Sequence, residues 1–197
     1  MPSAEIVRSI YVAMVEGHLS AKFTPDVSRM SAKLVDATVE LHRMVSGFFL
    51  TSAVKFHYQF NLRDLSAVVQ GLCRMQPDYH TKPADAVRLW VHEVERVFLD
   101  RMINTTDMTQ FGEFRKQVVK LFFDDAELQA EAEKRPNVHT SFMKFTPEEN
   151  PVYYGCDDYA RLNKARAQRA APSPARAPLL THARPSPAPR PRRLRRC

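Results

Sequence analysis

The residues best placed to do chemistry lie in Asn61-Leu62-Arg63-Asp64. An arginine two positions after a helix-capping Asn stands near the positive end of the macrodipole, where a cation is unfavourable unless an anion meets it. Arg63 therefore needs a partner, either a carboxylate of the chain such as Asp64 or Glu40 or the phosphate of a ligand. His92-Glu93 opens like the zinc motif HExxH, but Arg96 stands where the second His is needed. The i, i+4 ligand pair fails, and the segment reads as a surface ion-pair face. Neither GxxxxGK(S/T) nor GxGxxG occurs, so no phosphate-cradling loop is present. No Ser or Cys lies at a nucleophile elbow, and Cys73, beside Leu72 and near Met75, reads as core. No catalytic residue and no metal ligand is expected.

Helices must position Arg63. Residues 4–19 carry Ile6, Ile10, Met14 and Val7, Tyr11, Val15 on two i, i+4 rows, predicting one broad apolar stripe down a helix that ends near Gly17. A longer helix follows from Asp26, a candidate cap, with Val27, Met30, Leu34, Leu41, Val45 and Phe48 on one face. Phe56, Tyr58 and Phe60 alternate with polar residues, which predicts a short extended segment feeding the helix capped by Asn61. Asp64 stands near the capping-box position, and Leu65, Val68, Val69 and Leu72 form the buried face. Pro83 opens a fourth helix carrying Val87, Trp90, Val91, Val94 and Phe98, and Phe111, Phe114, Val118 and Leu121 mark a fifth. Beyond Asp124 the pattern weakens between Pro136, Pro147 and Pro151, and only 157–165 is ready to form a helix.

Only 5 of 197 residues are Gly and 44% are hydrophobic, so an all-α helical bundle with a buried core is expected. The net charge of +7 divides sharply. Residues 166–197 hold nine Arg, no Lys and no acid, which leaves the rest, with 20 basic and 22 acidic residues, at −2. That tail also carries half of the 14 prolines and no aromatic residue, and is expected to be disordered. The division is a helical domain over 1–123, a linker and lead-in over 124–165, and a disordered Arg/Pro/Ala-rich tail over 166–197. No signal peptide or membrane span is apparent, and three scattered cysteines fit a reducing compartment, so a soluble intracellular chain is expected.

The block His57-Tyr58-Gln59-Phe60-Asn61-Leu62-Arg63-Asp64-Leu65-Ser66 carries a resemblance, continued by Gln70-Gly71-Leu72, by Val87 through Glu93, by Arg96-Val97-Phe98 and by Asp100-Arg101. It closely resembles dynein heavy chains, in the small helical lid subdomain of the third AAA+ module of the motor ring, and extends from about Glu5 to Ala165. The FNLRDLS spelling resembles axonemal chains. Residues 150–164 resemble the lead-in to the fourth module. The similarity ends at Arg166, where a shifted reading frame or read-through intron is preferred to a selected basic tail.

The resemblance implies that Arg63 reaches back to the nucleotide phosphates of its own module, as a sensor-2 arginine, with Asn61 and Asp64 orienting it. ATP or ADP would be held only together with an upstream large AAA+ subdomain, so this chain alone is no enzyme but part of an ATPase motor. Its partners would be neighbouring AAA+ modules and, through the full-length protein, dynein intermediate and light chains and microtubules, in the cytoplasm and the cytoskeleton of ciliary and flagellar axonemes. Neither a membrane nor nucleic acid is an expected partner of the folded body. The alternative is a stand-alone helical interaction module whose Arg-rich tail binds RNA or acidic surfaces through phosphate neutralisation.

Overall fold

A computed structural model describes residues 3–20, 22–145, 151–156 and 158–170. Its α-helices are α1 (Ala4–Ser20), α2 (Pro25–Ser28), α3 (Met30–Phe48), α4 (Leu62–Leu72), α5 (Pro83–Val97), α6 (Thr105–Phe122), α7 (Ala126–Glu133) and α8 (Tyr159–Ala170), with a short 3-10 turn at Leu99–Arg101 after α5. Two strands, β1 (Val138–Phe145) and β2 (Pro151–Cys156), pair antiparallel with Val138 opposite Cys156. The expected all-α bundle is therefore present and carries one small hairpin.

α3 and α5 run through the centre. α1 and α6 pack on α3, and α4 and α7 pack on α5. Trp90 of α5 is fully buried, and its indole N–H donates to the Thr38 hydroxyl of α3 at 2.9 Å. That hydroxyl donates in turn to the Leu34 carbonyl at 2.7 Å, so a bulky ring enters the core without stranding its polar atom. Phe98, Phe111, Phe123, Leu41 and Leu72 complete the same core.

Four local expectations are corrected. On α1, Val7, Val15 and Leu19 are buried, whereas Ile6, Ile10 and Met14 are 54%, 54% and 49% exposed. α1 is an outer helix that meets α3 along one row only, fixed there by Arg8 bonding Asp36 at 2.8 Å. The long second helix divides at Arg29 into α2 and α3, and Pro25, which occupies the first turn of α2, places Thr24 rather than Asp26 at the capping position. Phe48, at the far end of α3, is exposed and touches Phe114 edge-on. Residues 55–60 form no strand: Tyr58 N–H bonds the Lys55 carbonyl at 3.2 Å, and the resulting turn buries Tyr58 while leaving Phe56 outside.

The boundaries at 123 and 165 also shift. α7 belongs to the packed body, because Arg88 of α5 bonds Glu131 at 3.1 Å and Arg115 of α6 grips Glu133 with two 2.9 Å bonds. The segment read as a linker holds the hairpin, whose Val152, Tyr153 and Cys156 are buried. α8 continues through Ala170, so residues 166–170 are helical rather than the start of a disordered tail. The expectation for 171–197 lies outside the described residues. Among the described residues no helix is long and apolar enough to cross a membrane.

Candidate functional site

The N-terminus of α4 is built as its sequence demands. Asn61 has extended backbone angles, and its side-chain oxygen accepts from the Arg63 N–H at 2.9 Å. Asp64 reaches back to accept from the Asn61 N–H at 2.8 Å, completing a reciprocal capping box. Two orphan donors of the first turn are thereby satisfied, and the start of the helix is fixed to one geometry.

Three other elements brace this cap. Asp64 is buried, and its second oxygen binds the guanidinium of Arg101, which also donates to the Gln59 carbonyl at 3.3 Å and lies over the Phe60 ring. Tyr11 of α1 donates to the Leu62 carbonyl at 3.3 Å and shares a 2.7 Å hydrogen bond with Ser66. His42 of α3 faces the backbone of Phe60 and Asn61; burial pushes its pKa down, which the Asp64 charge partly opposes. Just upstream, Asp107 accepts from Lys55 at 2.5 Å and from Tyr58 at 2.8 Å. The Lys55 bond holds the Asp107 carboxyl below the usual carboxylate range, and burial pushes the Tyr58 phenol up.

Arg63 itself stands exposed on this scaffold. Both candidate carboxylates are taken: Asp64 by Arg101, and Glu40 by Arg43 through bonds of 2.6 and 2.9 Å. Its side chain has no hydrogen bond or ion pair among the described residues. Arg63 is thus an exposed cation in the first turn of α4 with neither nearby carboxylate bound to it. Asn61 shapes the turn. Asp64 does so too, while its charge is neutralised by Arg101 rather than by Arg63.

The segment His92-Glu93-Val94-Glu95-Arg96 departs from its expected role. Glu93 is fully buried, not on a surface face. It binds Arg96 at 2.6 Å and accepts from the Tyr153 hydroxyl of β2. It also presses on α4 at Gly71, where an added Cβ would lie 2.1 Å from the Glu93 carboxylate. Arg96 extends further and donates to the Ala67 carbonyl of α4 at 3.4 Å. No group of three or more His, Cys, Asp or Glu that could hold a metal occurs among the described residues.

Sequence reasoning missed Arg101, Tyr11 and His42 as supports of the cap, and Tyr153 as the partner of Glu93. One signal was available. A capping-box Asp uses only one oxygen in the box, so a buried Asp64 needed a cation, and Arg101 was the basic end of a block already singled out.

A protein-family model described as the AAA+ lid domain matches residues 34–133, and the chain belongs to that family. Over 166 residues it is 54% identical to the dynein beta chain of the flagellar outer arm from Chlamydomonas reinhardtii, covering 83% of this chain and 4% of that one. It is 40% identical to mouse dynein axonemal heavy chain 17 and 38% identical to the ciliary dynein beta chain of Tripneustes gratilla, each over 164 residues and again 83% and 4% of the two chains. The sequence thus corresponds to a segment of an axonemal dynein heavy chain, as the FNLRDLS block and its neighbours implied, and spans about 4% of the length of these relatives.

Proposed function

We propose that this chain acts as the nucleotide-sensing lid of the third AAA+ module of a dynein motor ring, coupling its ATP state to microtubule-based movement in cilia and flagella. The reading rests on one observation: Arg63 is exposed at a rigidly capped helix start while Asp64 and Glu40 are committed to other arginines. A guanidinium so placed offers a planar fork to phosphate oxygens. The phosphate loop and the residues that activate water belong to an upstream large subdomain, so this chain supplies one wall of the ATP or ADP site and no catalysis. The hairpin and α8 form the approach to the fourth module. Neighbouring modules are its direct partners; intermediate and light chains and microtubules are reached through the full-length axonemal motor.

Nucleotide binding tests the proposal. The isolated chain binds ATP weakly and without magnesium dependence, and rejoined to the large subdomain it binds well. In the rejoined protein Arg63→Ala weakens ATP binding by about tenfold to a hundredfold, the equivalent of a charge-assisted contact of about 1.5–3 kcal/mol. Arg63→Lys recovers little of it, since a point charge does not reproduce the fork. Unchanged affinity in the alanine variant overturns the assignment.

A further inference from the structure

The hairpin sits on the bundle through an unusual contact surface. His139 of β1 is buried and makes ring contacts with His80 of the α4–α5 loop at 6.2 Å and with His92 of α5 at 5.2 Å between centroids. Room for it comes from Gly155, its opposite number in the strand register, where a Cβ would stand 3.0 Å from His139 Nε2. His139 Nδ1 is buried with no hydrogen-bond partner among the described residues. Beside this trio, Tyr153 donates to Glu93 and packs its ring 4.0 Å from the Arg74 guanidinium, and Tyr154 meets Tyr79 edge-on. Aromatic and titratable side chains thus join the buried Val152 and Cys156 in this docking surface.

We infer that the β1–β2 hairpin is an acid-releasable latch, docked on the bundle only while His80, His92 and His139 are all neutral. His139 cannot carry a proton together with His80 or His92 without placing like charges 6.2 or 5.2 Å apart. Around His139, Arg88 of α5 is a standing cation, His92 of α5 and His80 of the loop become cations only on protonation, and the Tyr153 ring of β2 faces it as well. Glu131 of α7 is already bound to Arg88. Carboxylates do face the other two rings, Glu93 and Glu95 toward His92 and Asp85 toward His80, but burial outweighs them and pushes both pKa values down. Burial first, and then repulsion from His92, His80 and Arg88 when they are charged, pushes His139 down to about 3. The sign follows. A histidine freed from the interface takes up its proton near pH 6.5, whereas the docked one does not, so docking is fully favoured above 6.5 and is lost as the pH falls below it. Opening becomes about tenfold easier per pH unit for each histidine held neutral.

Hydrogen exchange of the full 197-residue chain at pH 7.5 and 5.5, corrected for intrinsic rates and read by mass spectrometry, tests the latch. Protection over 138–145 and 151–156 falls at least tenfold at the lower pH while α3 keeps its own. In His139→Phe, which keeps a ring and removes a proton site, hairpin protection at pH 5.5 is about tenfold higher than in the parent chain. Should that variant already be undocked at pH 7.5, an NMR titration of the parent imidazoles decides: all three titrate together with hairpin opening. Hairpin protection indifferent to pH, loss of α3 protection in step with the hairpin, or imidazoles titrating near 6.5 with the hairpin still docked would each overturn the latch.

Discussion

The two ends of α4 are held by opposite chemistry. Its N-terminus is a polar cap in which each group has a partner close in sequence: Asn61 bonds Arg63, and Asp64 bonds Asn61. Its C-terminal half is pressed at Gly71 by the buried carboxylate of Glu93, whose own partners come from α5 and from a strand 60 residues away. The first end closes its own capping box within one turn, braced from outside by Arg101 and Tyr11, and leaves Arg63 exposed. The second draws one of its contacts from the hairpin, through Tyr153.

The distant end should be the costlier one to disturb. Arg96→Ala leaves Glu93 buried without a countercharge and is expected to cost about 3 kcal/mol, the low end for a broken buried pair because Arg96 is itself half-exposed. Urea unfolding measures the loss. Adding Glu93→Gln in the same chain should recover much of it, because no buried charge is then left; a double variant no more stable than Arg96→Ala breaks the comparison.

At the other end, Asn61→Ala removes the cap acceptor and should cost about 1 kcal/mol. The effect belongs to the first turn of α4, so amide exchange should quicken at residues 62–65 and not at Gly71. An equal response at both ends would mean that the two are not separately held.

The same contrast explains what could be read without a structure. The cap was legible because Asn61 and Asp64 act within one helical turn, and the bundle was legible because α4 and α5 repeat their apolar residues at helical spacing. Glu93 was read as a surface residue because the features that bury it, Gly71 across the helix pair and Tyr153 beyond several prolines, leave no periodic mark near it. The hairpin escaped for a related reason: β1 mixes His, Thr, Ser and Lys with its apolar residues, and its docking face is built from polar rings. On α1 two equivalent apolar rows were visible, and only the packing against α3 decides that Val7 and Val15 are the inner one.

The smallest expected effect is the most informative. In the isolated chain Arg63→Ala should change stability by no more than about 0.5 kcal/mol, as for an exposed side chain away from special contacts. The backbone N–H that Asn61 caps is kept by alanine, and removing a cation from the positive end of a helix relieves a mild electrostatic strain. Thermal melts of parent and variant should therefore superimpose or favour the variant slightly. A melting temperature several degrees lower would mean that Arg63 holds the lid together, and a weaker affinity for nucleotide in the rejoined protein would then report damage rather than a lost contact. Superimposed melts with impaired nucleotide binding would separate sensing from folding at a single residue.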